Sequence, residues 1–89
     1  MVSPEGDLDM AASKRLRAAL RRCWLGSTGR LLVDLSRVDL LDASAIRALL
    51  EGRDQMTARG GSLILVRPSQ PARRVLEASG SLSAFRVAY

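Results

Sequence analysis

No histidine occurs in the 89 residues. That excludes Ser-His-Asp and Cys-His catalysis, histidine metal sites and histidine proton shuttles. The single cysteine, Cys23, can neither close an internal disulfide nor build a multi-thiolate zinc site. Trp24, Phe85 and Tyr89 are the only aromatics, so stacking on nucleic-acid bases has few platforms. No apolar run approaches the roughly 20 residues of a membrane span. The N-terminus lacks a basic stretch followed by an apolar one, so no secretory signal is expected. The expectation is a soluble cytoplasmic protein that needs no cofactor and no metal.

What is present describes a folded domain. Hydrophobic residues make up 47% and charged residues 26%, a balance that separates the chain from disordered tails. The length suits one domain, residues 1–89. Lysine and arginine total 14 against 9 acidic residues, a net charge of +5. Such a balance permits phosphate neutralisation, but the cations are spread along the chain, which with the scarcity of aromatics argues against nucleic acid.

Asp9 precedes a helical pattern with Leu16, Ala19, Leu20 and Cys23 on one stripe, and is placed to cap it. Gly26 and Gly29 break that pattern. Arg30 to Leu35 reads as a strand whose unbroken apolar run, Leu31 to Val33, suits a strand covered on both faces. Ser36 to Leu41 reads as a connection. Asp42-Ala43-Ser44 opens a second helix with Ile46, Leu49, Leu50 and Met56 inward, stopped by Gly60-Gly61. Leu63 to Val66 is a second buried strand. Ser69 caps a third helix with Pro71 in its first turn, Ala72, Val75, Leu76 and Ser79 inward and Gly80 at its end. Arg86 to Tyr89 makes a last short strand. This alternation predicts an α/β domain with a mainly parallel sheet. The predicted core is Leu32, Val33, Leu63, Leu65 and Val66 with Leu16, Leu20, Leu49, Leu50 and Leu76.

No glycine-rich phosphate loop is visible, since Gly60-Gly61 follows a helix rather than a strand. Asp39 and Asp42 read as a turn residue and a helix cap rather than an acid/base pair. Cys23, on an apolar stripe, reads as a small hydrophobe rather than a reactive thiol. The informative stretch is Asp42-Ala43-Ser44-Ala45-Ile46-Arg47. It opens a helix, where free N–H groups and the positive end of the dipole gather. A hydroxyl there can carry a phosphate at little cost to the fold. By itself, one serine in a first turn reads first as an ordinary capping residue.

The segment from Leu31 to Leu50 resembles the core of STAS domains, the family of anti-sigma factor antagonists, which reads apolar-apolar-Asp-Leu, a connection, then apolar-Asp-Ser-Ser/Thr-Gly-Leu. Gly6-Asp7-Leu8-Asp9 resembles the family's Gly-Glu-Leu-Asp, and Gly60 to Val66 its Gly-Gly-x-Leu-x-Leu-Val. Arg73 to Gly80 resembles its final Val-Leu-x-x-x-Gly helix. The resemblance implies a STAS-like single domain and a protein-binding switch that is not itself an enzyme. It implies that Ser44 accepts phosphate from a partner that is both anti-sigma factor and serine kinase. The unphosphorylated domain would bind that partner and so regulate transcription. Asp42, Ala43, Ser44, Ala45 and Arg47 form the implied partner-binding set, with Arg47 one turn on from Ser44 and able to pair with its phosphate. Ala43 stands where the family carries its first hydroxyl, and Ala45 where it carries glycine.

The family opens with a two-stranded hairpin, and this chain has room for only part of one. The expectation is therefore a truncated N-terminal hairpin and an edge left for self-association. No small-molecule substrate is expected. Two other readings stay open: a STAS scaffold or subunit in a stressosome-like or lipid-transport complex, and a small basic nucleic-acid-binding protein. Co-purifying partners distinguish the first and salt-dependent duplex binding the second.

Overall fold

The computed structural model describes residues 1–25 and 29–89. The chain runs β1 (Gly6–Leu8), α1 (Met10–Leu25), β2 (Arg30–Asp34), β3 (Val38–Leu41), α2 (Ala43–Ala58), β4 (Ser62–Val66), α3 (Gln70–Ala78), a 3-10 turn (Leu82–Ala84) and β5 (Arg86–Ala88). Gly26, expected to end the first helix, lies outside the described residues.

Each helix begins where its sequence offers an acceptor for the free N–H groups of a first turn. Asp9 Oδ1 accepts from Ala12 N at 2.9 Å. Asp42 Oδ1 accepts from Ala45 N at 3.0 Å. Ser69 Oγ accepts from Ala72 N at 3.2 Å, with proline in the first turn. These are the three caps expected from the sequence, each relieving a donor that the helix itself leaves unpaired. At the end of α2, Gly60 takes φ +77°, where a side chain would be strained. A Cβ on Gly61 would stand 2.3 Å from the Gly29 carbonyl oxygen, so the glycine pair also brings β4 in beside the start of β2.

All strand pairing among the described residues is parallel. One sheet has the order β2-β4-β5, with Leu31 opposite Leu63 and Leu65 opposite Val87. A second pairs β1 with β3. The N-terminal segment joins them. Val2 N donates to Leu32 O at 2.9 Å and Asp34 N donates to Val2 O at 2.8 Å, and the chain then passes Pro4 into β1. Val2 thus exchanges two backbone hydrogen bonds with the outer edge of β2, donating one and accepting the other.

The structure departs from the sequence reading in three places. Val38–Leu41 is a strand, not a connection, because Gly6–Leu8 supplies a partner from about 30 residues upstream. The inner stripe of α1 is Ser13, Leu16, Leu20 and Trp24; Ala19 and Cys23 lie half-buried at its flank. Trp24 displaces Cys23 from the stripe because its larger apolar area gains more from burial. The strands of the main sheet are fully buried on one face only. Leu31, Val33, Leu63 and Leu65 are buried, whereas Leu32, Ile64 and Val66 are half-buried. The buried face packs with Ala45, Ile46, Leu49 and Met56 of α2 and with Leu76 of α3 in one apolar cluster, while Leu50 and Val75 flank it and Ser79 is exposed.

At the C-terminal end of β2, Asp34 Oδ1 accepts from Ser36 N at 2.9 Å and Asp34 Oδ2 from Arg67 Nη2 at 2.8 Å. The Ser36 donors, and then the Arg67 guanidinium, hold this carboxyl at about 2, below its ordinary 3.8. A carboxylate whose folded pKa is depressed stabilises the fold above its unfolded value, and that contribution is lost as pH falls through the folded one. Replacing Asp34 by Asn is therefore expected to cost stability near neutral pH and to cost progressively less as pH drops from about 4 towards about 2. Urea midpoints of the two proteins across that range check this; a constant gap between them overturns it.

Candidate functional site

The start of α2 is held from three directions. Asp42 is extended (φ −95°, ψ 178°) and its backbone N–H donates to Leu8 O of β1 at 3.2 Å. Its own carbonyl accepts from Ile46 N at 3.1 Å. Its side chain then turns over the first turn of the helix. Oδ1 receives Ala45 N, and it receives the Ser44 hydroxyl at 2.5 Å. These donors, Ser44 first and Ala45 second, with the nearby charge of Arg47, outweigh desolvation and keep the Asp42 carboxyl below its usual range. Asp42 is therefore ionised near neutral pH and acts only as an acceptor.

Ser44 is half-buried. Its Oγ lies between Asp42 and the N-terminal turn of α1, where Ser13 Oγ stands 2.9 Å away. Ser13 in turn donates to Asp9 O at 2.6 Å. Asp9, Ser13, Ser44 and Asp42 thus form one polar chain joining the capped starts of two packed helices. Ser13 and Asp9 were not among the site residues expected from the sequence. The available signal was a hydroxyl on the apolar stripe of α1, three residues before Leu16.

The five residues implied as a partner-binding set fall in three environments. Ala43 and Arg47 are exposed, Asp42 and Ser44 are half-buried, and Ala45 is fully buried. The Ala45 methyl is part of the core and leaves no surface of its own for a partner. The Arg47 side chain has no hydrogen bond or ion pair among the described residues and reaches Asp42 only through space.

Other groupings carry less. No group of three or more His, Cys, Asp or Glu among the described residues is placed to hold a metal ion. No described helix is long and apolar enough to cross a membrane. Several arginines are matched to acids: Arg17 and Arg21 flank Glu51, Arg37 meets Glu5 and Arg73 meets Glu77. Surface pairing of this kind adds little stability but divides the positive charge into small parcels.

A family model for the STAS domain matches residues 1–88. The chain belongs to the STAS domain family. This STAS domain is 31% identical over 84 residues to BtrV of Bordetella bronchiseptica, a protein provisionally named an anti-sigma factor antagonist. The match covers 94% of this chain and 72% of that protein. Its fold is similar to that of the anti-sigma factor antagonist SpoIIAA in its unphosphorylated form, with a TM-score of 0.76 and 24% identity. That alignment covers 100% of this chain and 84% of the other. At that identity the likeness establishes the α/β architecture.

Proposed function

We propose that this STAS domain is an anti-sigma factor antagonist whose grip on its partner is controlled by phosphorylation of Ser44. The partner is an anti-sigma factor of the serine-kinase type, and the exchange takes place in the bacterial cytoplasm. The domain supplies the acceptor hydroxyl and the docking surface; the kinase supplies ATP and catalysis. One observation carries this reading: a half-buried serine hydroxyl, 2.5 Å from an ionised helix-capping carboxylate, beside the exposed Ala43 and Arg47.

The geometry also explains how a phosphate would act as a switch. A phosphoserine carries about −1.5 to −2 charges near neutral pH. Asp42 is ionised and cannot donate to it, so the two groups repel at the distance the hydroxyl now occupies. The modified side chain must leave its place between Asp42 and Ser13 and turn outward, towards Arg47 at the positive end of the helix dipole. A neutral, inward-held hydroxyl becomes a charged, outward-held group on the surface the partner covers.

The test is direct. Tagged wild-type protein is used to isolate partners from the native cell, and the complex is then given ATP. Phosphate is expected on Ser44, mapped by mass spectrometry, with none on Ser44→Ala. A captured kinase-type partner that leaves Ser44 unmodified overturns the reading.

A further inference from the structure

Among the described residues, Ser13 is the only buried polar side chain, at 3% exposure. Its own helix already satisfies its donor, through Asp9 O at 2.6 Å. Alanine would suit both the apolar stripe and the helix better, having higher helix propensity and no polar atom to bury. What the serine adds is its contact with Ser44 Oγ at 2.9 Å.

Counting protons shows what that contact does. Three oxygen–oxygen contacts run along the chain Asp9 O, Ser13 Oγ, Ser44 Oγ, Asp42 Oδ1. Neither the carbonyl nor the carboxylate can donate, so two hydroxyl protons serve all three. The Ser44 proton stays on Asp42, because a charged acceptor makes the stronger bond. The Ser13 proton is committed to Asp9 O, so Ser13 Oγ faces Ser44 with a lone pair and is the second acceptor of the Ser44 proton, behind Asp42. Ser44 is therefore held between two acceptors, its proton directed chiefly at the carboxylate. Its own lone pairs are left for an electrophile.

We infer that Ser13 is a positioning residue for Ser44, holding the acceptor hydroxyl from the neighbouring helix in the orientation that aims its proton at Asp42. The inference rests on Ser44 being the phosphate acceptor. In the transfer, a bond forms between Ser44 Oγ and the γ-phosphorus of ATP as the bond to the ADP oxygen breaks. ADP leaves with that electron pair, and the Ser44 proton departs along its hydrogen bond to Asp42.

The experiment compares Ser13→Ala, Ser13→Cys and Ser13→Thr with wild type. The first readout needs no partner: NMR couplings across the Ser44 Cα–Cβ bond report its rotamer, alongside a thermal melt. Wild type and Ser13→Thr should show one dominant rotamer. Ser13→Ala and Ser13→Cys should stay folded but populate a second. The second readout is transfer from ATP by the captured kinase, expected to slow about three- to tenfold in Ser13→Ala and Ser13→Cys, the scale of one neutral hydrogen bond, and to be kept in Ser13→Thr. Wild-type couplings and wild-type rates in both Ser13→Ala and Ser13→Cys overturn the inference. Absence of phosphate on the wild type instead overturns the acceptor reading, while the couplings still decide whether Ser13 positions Ser44.

Discussion

Ser44→Asp is expected to fold like the wild type and to bind the anti-sigma partner at least about tenfold more weakly. The fold should survive because the changed position lies in the first turn of α2, where the positive end of the helix dipole favours negative charge. Asp42 makes the same prediction from the other side. Its ionised carboxylate sits against the Ser44 side chain, so a second carboxylate cannot keep the inward position and must face outward. There it would have to be desolvated against a surface shaped for a neutral hydroxyl. Burying an uncompensated charge costs several kcal/mol, and about 1.4 kcal/mol already corresponds to a tenfold loss. Aspartate carries less charge than phosphate, so its effect is a lower bound on that of modification. Ser44→Ala has no such charge and should bind within a few-fold of wild type. A titration of the three proteins against the captured partner decides the matter; equal affinities would leave Ser44 as an ordinary first-turn residue.

Leu49→Ala is expected to leave little folded protein. Leu49 is 0% exposed and sits on the face of α2 that meets α1 and β4. Removing a buried leucine side chain costs ~2–5 kcal/mol, which includes the cavity it leaves. Small domains hold a total near the low end of about 5–15 kcal/mol, because so large a share of their surface stays wet. The cost is therefore of the same order as the stability itself. Leu40→Ala is the matched control, since Leu40 is 48% exposed and should change the midpoint little. Denaturant melts of both variants check the pair. A wild-type midpoint for Leu49→Ala would mean that the inner face of α2 has been assigned wrongly.

What was legible in the sequence was what local chemistry dictates. Asp9, Asp42 and Ser69 cap helices because the donors they satisfy lie three residues away, inside the same turn. Ser44 could be placed at a helix start for the same reason. The parallel alternation of strands and helices followed from apolar runs and their punctuation, and the STAS family from four motifs in order. Leu16, Leu20, Ile46, Leu49, Met56 and Leu76 were recognisable as core because helical periodicity is a property of neighbours in the chain.

The remaining features depend on residues that meet only in three dimensions. Val38–Leu41 looked like a connection because Val-Asp-Leu-Leu is too short and irregular to show a strand's alternation. It becomes a strand through hydrogen bonds to β1, which no local signal announces. The stripe of α1 turned towards Trp24 rather than Cys23 because packing against α2 and β1, not spacing alone, decides which flank is dry. The site shows the same division. The sequence by itself determined that a carboxylate and a hydroxyl stand two residues apart at the mouth of α2. Only the tertiary structure decided that Ser13, 31 residues away on another helix, completes their hydrogen-bonded chain. A polar residue on an apolar stripe gains its meaning from whatever faces it, and that is set by packing between helices rather than by either helix alone.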